Sequence, residues 1–537
     1  MNIKCGAREG SAFFISRSRL AATGFGSLAG LMLSRKICLL LGAISIASVL
    51  SAREFTVLVY NVENLFDVDG IAEFSDYRQT SDASGEPYTP GHLLTKIRHI
   101  AEVLHAINEG RGPEIVLFQE IELDQTPFSN GGDSPESFLT TFVSTTVEEM
   151  LTTGFSPTVA GLPAERLLLK YLVDSGMEPY ALAKPEVRPN ERIYAHNNVV
   201  FSRFPIRWVR QRAVASARDL LVVGLEVDGH ELVLMNNHWR AGASNPRAEP
   251  IRVQNAHVVQ AEVSAVLLKN PAADLIVAGD LNSHYNHAAV FPELEETGIN
   301  HVLGSTINER AFVAGQRAGL YNLWGEVPPE ERGSEIWRGE WGTLMHLLLS
   351  RGLYDEAGVQ YIDNSFSRMR LPGRNVDTRF GTPLRWVQRG NGSGFSDHLP
   401  LVARFRTVDT ANPQRFQQLT EPVWGPAPAA ALIPVDYRLL DRDDIPSALT
   451  LDGLSPKEVI RYLGEVFQME GVLGGSGSEV RIGDVVYGLY VVPEALRAVI
   501  EARPEGSRLR AYGQLGDFYG TIQFVIHRTD WMLPPDN

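Results

Sequence analysis

Along residues 55 to 405, short apolar runs alternate with longer stretches whose apolar residues recur at helical spacing. "FTVLVYNV" (Phe55–Val62) has the length and β-branched content of a strand. "LLTKIRHIAEVLHAINEG" (Leu93–Gly110) carries a three-to-four-residue period and ends on glycine, which predicts a helix. "PEIVLFQEIE" (Pro113–Glu122) is a further strand, opened by proline. "NNVVFSRFPI", "DLLVVGLEV" and "HELVLMNNHW" follow as β-type runs, then a helical stretch from Glu249 to Lys269 and a strand at Leu275–Ala278. "MHLLLS" and "LPLVARF" complete the set. Hairpins mixed with helices predict a layered α/β sandwich over residues 53–406 rather than a single parallel sheet. Residues 407–448, with "EPVWGPAPAAALIPVDY", read as a semi-rigid Pro/Ala-rich linker. Five short strands with one helix between the third and fourth are expected over 449–537.

The polar positions at the strand ends form a second pattern. The strand "LIVAG" delivers Asp280 and then Asn282, where a dry strand leaves the core. Asn61 closes the first strand, Glu120 follows "IVLFQ", His238 follows "LVLMNN", and Asp397 and His398 precede "LPLVARF". One such residue is ordinary turn or cap chemistry. Five strand ends carrying only carboxylates, amides and imidazoles can meet along one edge of a sandwich, where ligand sites form. Carboxylate and amide oxygens without cysteine suit a hard cation, Mg²⁺ or Mn²⁺. Two histidines and a further carboxylate add phosphate binding, proton transfer and activation of water. The combination describes metal-assisted hydrolysis of a phosphate ester. His284 and His287, in the loop after Asn282, read instead as surface histidines without a role.

Composition narrows the setting. The 537 residues carry a formal net charge of −15, which argues against a broad basic surface for nucleic acid. It leaves room for an enzyme that meets phosphates through a bound cation. Residues 1–52 read as a leader, with a secretory signal at Met32–Ala52 (basic start, apolar run, small residues). Translation is expected to begin at Met32 and cleavage to fall near Ser51 or Ala52, giving a secreted or periplasmic chain free of lasting membrane association. Both cysteines, Cys5 and Cys38, lie in that leader, so the mature chain has no thiolate nucleophile and no disulfide.

The ordered motifs "YNVENLFD", "LFQEIE", "NNHWRAG", "GDLN" and "SDHLPL" resemble those of the endonuclease/exonuclease/phosphatase superfamily over about 350 residues. The resemblance implies a four-layer α/β sandwich, two packed sheets flanked by helices. It implies a principal metal ligand in Glu120, with Asn61 and Asp397 completing the metal site. Asp280 would orient or deprotonate the attacking water, Asn282 and His238 would hold the phosphate, and His398 would assist proton transfer there. One position departs from the pattern: Met345 stands where the superfamily's bacterial members carry an aspartate that orients the Ser-Asp-His histidine. A thioether can neither accept strongly nor carry charge. Glu340 or Asp377 could supply that carboxylate, the chain could have become a binding protein, or the motif could be displaced by a residue.

The element order of residues 449–537 resembles an OB-fold barrel, a fold that binds single-stranded nucleic acid or oligosaccharide. Most of its aromatics are expected to fill the barrel, with Phe518 and Tyr519 of "GDFYG" left as an exposed stacking pair. The resulting expectation is an exported, metal-dependent phosphodiesterase with nucleic acid as substrate. A sphingomyelinase-like hydrolase of phospholipid or small phosphate esters is the alternative enzyme.

Overall fold

Side-chain alternation along β1 (Glu54–Leu65) shows where two cores lie. Phe55, Val57 and Val59 point to one face, Leu58, Tyr60 and Val62 to the other, and all six are buried. A computed structural model describes residues 53–71, 87–126, 134–186, 195–409, 416–420, 430–518 and 520–534. The 1–52 leader and Tyr519 lie outside the described residues.

The remaining strands are β2 (Ile115–Glu122), β3 (Ala181–Ala183), β4 (His196–Ser202), β5 (Ile206–Arg212), β6 (Leu220–Val227), β7 (His230–His238) and β8 (Asp274–Asp280). Next come β9 (Tyr321–Asn322), β10 (Glu335–Trp337), β11 (Glu340–Gly342), β12 (Met345–Leu349), β13 (Gly358–Tyr361), β14 (Ser367–Arg368), β15 (Leu401–Val408) and β16 (Ile433–Pro434). The last five are β17 (Val466–Gly474), β18 (Glu479–Ile482), β19 (Val485–Val491), β20 (Arg508–Phe518) and β21 (Thr521–Ile526). Four helices matter below: α1 (Pro90–His105), α2 (Ala164–Asp174), α3 (Glu249–Lys269) and α4 (Glu494–Glu501).

One sheet has the order β13-β15-β1-β2-β4-β3, with β14 also on β15, and the other β5-β6-β7-β8-β12-β9. Within them β1–β2 and β7–β8 run parallel, and the other neighbours antiparallel. The inner faces meet through Val57 and Leu117 on one side and Val223, Leu234, Ile276 and Leu347 on the other. Helices α1 and α2 cover the outer face of the first sheet through Leu93, Ile97 and Leu168. Helix α3 covers the second through Ala256, Val259 and Val263. This is the four-layer α/β sandwich the motifs implied.

Two of the elements that differ from the sequence pattern have a local physical reason. Helix α1 stops at His105 rather than Gly110, because Asn108 and Glu109 take left-handed backbone (φ 51° and 59°) that no helix continues. Residues 206–212 form an edge strand whose half-exposed, arginine-rich sequence hides its period; such charge suits a sheet edge.

Strands β17-β18-β19-β21-β20 close a five-stranded barrel, and α4 falls between its third and fourth strands. Phe467, Tyr487 and Phe524 fill its interior, whereas Phe518 is 56% exposed. Within 407–448, Thr407 and Val408 finish β15, and β16 pairs with β11. Val435, Tyr437, Leu439 and Ile445 are buried in the barrel's own cluster. Among the described residues no helix is long and apolar enough to cross a membrane.

The inner faces of β2 and β7 change character at one level. The rows Ile115-Leu117 and Leu232-Leu234 end in Gln119 and Asn236. Gln119 Nε2 donates to Asn236 Oδ1 at 2.7 Å, and Asn236 Nδ2 donates to the carbonyls of Phe118 (3.0 Å) and Val199 (3.1 Å). All of this is buried, so removing one partner leaves the others unsatisfied. Asn236→Ala is therefore expected to destabilise the protein by about 3 kcal/mol, checked by urea denaturation.

Candidate active site

One step beyond the Gln119–Asn236 level, the inner-face rows of three strands end in Asn61, His238 and Asp280. His238 and Asp280 are register partners on parallel β7 and β8. Asn61 bridges the sheets: its Nδ2 donates to Glu120 Oε1 (3.1 Å) and to Asp280 Oδ2 (3.2 Å). Its Oδ1 accepts the Glu63 N–H at 3.0 Å, so in this geometry Asn61 organises the carboxylates.

Glu120 reaches the site through a defect in the ladder. Gln119 and Ile121 keep partners on both β1 and β4 while Glu120 is skipped, and its φ is 64°. A bulge of this kind re-aims one side chain out of the strand's alternation. Asp280 precedes a similar turn, where Asn282 (φ 47°) donates its N–H to Asp280 Oδ1 at 2.9 Å and its side-chain amide to the Trp239 carbonyl at 3.2 Å. Gly279 just before has φ 121°, and a Cβ there would overlap the Asn237 carbonyl. The Ser-Asp-His segment is pinned by Ser396, whose hydroxyl donates to the Asn61 carbonyl (2.7 Å) and accepts the His398 N–H (3.1 Å).

These contacts bring Asn61, Glu120, His238, Asp280, Asp397 and His398 together. His238 Nε2 lies 3.7 Å from both Glu120 Oε1 and Asp280 Oδ2. His398 Nε2 lies 3.7 Å from Asp280 Oδ2 and from Asp397 Oδ1. Asn282 is buried at the same strand end. The Asp397 side chain is 43% exposed and marks the open side.

The two imidazoles sit in opposite electrostatic settings. His238 is driven well below its ordinary pKa by burial, then by Arg218, His196 and His398. His196 stacks on it with the rings 5.8 Å apart, and the Arg218 guanidinium lies against His196. His398 is buried too, yet Asp397, Asp280, Glu335 and Glu120 outweigh that penalty and hold its pKa up to about 9. Burial and then Asp397 push Glu120 up to about 7, while burial raises Asp280 against the pull of His398. Crowded, desolvated carboxylates are the donor set that a hard cation relieves. Glu120 and Asp397 could hold Mg²⁺ or Mn²⁺, since such ions keep waters and substrate oxygens in their remaining positions.

Several expectations change here. His284 and His287 are buried, not surface residues: the His287 ring accepts the His284 N–H at 3.3 Å, and its Nε2 lies 3.2 Å from Glu249. They are structural supports of the loop after β8. Neither Glu340 nor Asp377 serves His398. Glu340 is exposed on β11 opposite Pro434, and Asp377 is taken up by the backbone N–H groups of Arg379, Phe380 and Thr382 in its own turn. Met345 is fully buried opposite Asp280. Glu335, in "SEIW" on β10, is the carboxylate near His398 that strand periodicity did not single out.

The sequence model described as the Endonuclease/Exonuclease/phosphatase family matches residues 194–407. No curated protein matches the chain. Among solved structures, truncated TDP2 of Caenorhabditis elegans is similar at 13% identity and TM-score 0.33, over 66% of this chain and 97% of that one. An endonuclease/exonuclease/phosphatase family protein from Bacteroides thetaiotaomicron gives 12% and 0.37, over 67% and 97%. The human Nocturnin catalytic domain with bound sulfate gives 15% and 0.33, over 66% and 93%. Likeness at this level says nothing of substrate.

The high folded pKa of His398 has a consequence for stability. Its charge stabilises the metal-free fold fully below its ordinary value of 6.5, and that share is lost as pH rises toward about 9. The stability difference between the wild type and His398→Gln, measured by urea denaturation with chelator, should therefore narrow between those pH values, by roughly 1–3 kcal/mol.

Proposed function

We propose that this chain, a member of the endonuclease/exonuclease/phosphatase superfamily through residues 194–407, is an exported, metal-dependent phosphodiesterase that cleaves DNA or RNA. The observation that carries the reading is the meeting of Glu120, His238, Asp280, Asp397 and His398 around the Asn61 amide. A Mg²⁺ or Mn²⁺ ion on Glu120 and Asp397 would polarise a phosphoryl oxygen. Asp280, fixed by Asn61 and by the Asn282 N–H, aims the water and takes its proton as the new P–O bond forms. Neutral His238 donates a hydrogen bond to a non-bridging oxygen. Charged His398 offsets the charge building on the phosphoryl group and gives a proton to the departing oxygen as its bond to phosphorus breaks.

Two features favour nucleic acid over a lipid or small ester. The closed barrel belongs to an architecture that binds single strands, and Phe518 is half-exposed at the end of β20. Tyr519, its expected stacking partner, lies outside the described residues. Export rests on the sequence of Met32–Ala52.

The test is to incubate the purified protein with single- and double-stranded DNA and RNA under Mg²⁺, Mn²⁺ and chelator. Cleavage should require the metal and fall by about a thousandfold or more in Asp280→Ala. A folded protein that cleaves no nucleic acid but hydrolyses sphingomyelin or a phosphomonoester would replace this reading with the alternative enzyme.

A further inference from the structure

Met345 leaves a question that the geometry around His398 answers. The Nε2 side of the ring faces Asp280 and Asp397. Its Nδ1 is buried with no hydrogen-bond partner among the described residues, and the carboxyl group it faces is that of Glu335, whose Oε2 lies 3.8 Å away. That is longer than a hydrogen bond, but catalytic contacts of this kind commonly close only when substrate is bound. Glu335 is itself held in place. Its Oε2 accepts from the Ser334 hydroxyl and from the Leu344 N–H at 3.2 Å, and Ser334 Oγ also accepts the Met345 N–H at 3.3 Å. The backbone at the methionine and just before it therefore supports the carboxylate.

A second observation is independent of those hydrogen bonds. Glu335 and Gly342 are register partners on β10 and β11, and a Cβ on Gly342 would overlap Glu335 Oε1. Gly342 is not in the left-handed region, so its lack of a side chain serves space rather than backbone freedom. The room it leaves is occupied by the carboxylate. The Ser334 carbonyl accepts the Leu399 N–H at 2.6 Å, which ties the Glu335 strand to the residue after His398.

We propose that Glu335 is the positioning residue for His398, fixing the imidazole through Nδ1 from β10 while Met345 fills the core beside it. The inference rests on the reading of the site as a phosphodiesterase only for its kinetic test. A partner that holds a catalytic histidine in one orientation acts on the reacting geometry rather than on binding, so its loss appears in kcat more than in KM.

The first measurement needs no turnover. In protein labelled with ¹⁵N-histidine, the His398 Nδ1 proton, assigned by its absence in His398→Gln, should lie further downfield in the wild type than in Glu335→Gln, and an unchanged position would overturn the proposal. An unprotonated Nδ1 in the wild type would overturn the proposal even if the chain cleaved no nucleic acid. Kinetics then test the role. Glu335→Gln should lower kcat on nucleic acid by about a hundredfold or more with KM changed by less than about threefold. Gly342→Ala should lower kcat in the same direction without altering the carboxylate itself. Introducing Met345→Asp into Glu335→Gln should restore part of the lost kcat. An unchanged kcat in folded Glu335→Gln would overturn the proposal.

Discussion

The site depends on two sheets that cannot slide across each other. The apolar core that Leu117 and Leu234 share rewards burial but is indifferent to small shifts along the strands. The Gln119–Asn236 hydrogen bond is not indifferent, because an amide pair buried at 2.7 Å has one good geometry and a high cost for any other. The Asn61–Asp280 bond repeats the constraint one row further out, now between residues that belong to the site. Fold and chemistry meet at these two rows: the first fixes where the sheets lie, and the second places a carboxylate within reach of both histidines.

Within that frame, environment separates side chains of the same type. His238 and His398 face the same carboxylate, Asp280, at the same 3.7 Å. One has Arg218 and a second imidazole close by, and the other is ringed by acids; their charges consequently differ at neutral pH. This division of labour lets one ring donate as a neutral group while the other serves as a cation, with no difference in chemistry between them. The exposed Asp397 marks the open side of the arrangement.

Much of this was legible in the sequence because each relevant strand ends the same way, with an apolar row giving out into an amide, an acid or a histidine. The α3 boundaries and the barrel's element order were likewise visible, since period and turn signals agreed there. What escaped did so for physical reasons. β5 carries its charge on an edge and so lacks a clean period. His284 and His287 look like loop residues, but their loop folds back into the core, a tertiary fact with no local signature. Glu335 comes from a three-residue strand too short to have a pattern, and its importance lies in what faces it across space.

The bulge at Glu120 has a further implication. A carboxylate reaches the site because the ladder is miscounted by one residue there, so the sheet is locally imperfect where the chemistry is richest. Deleting Glu120 itself would heal the pairing of β2 with β4 and leave Ile121 on the face it already occupies, while removing the carboxylate that the bulge presents. Regularity and activity are thus opposed at this position. A search for more ideal variants of this fold would therefore select against the carboxylate on which the candidate metal site depends.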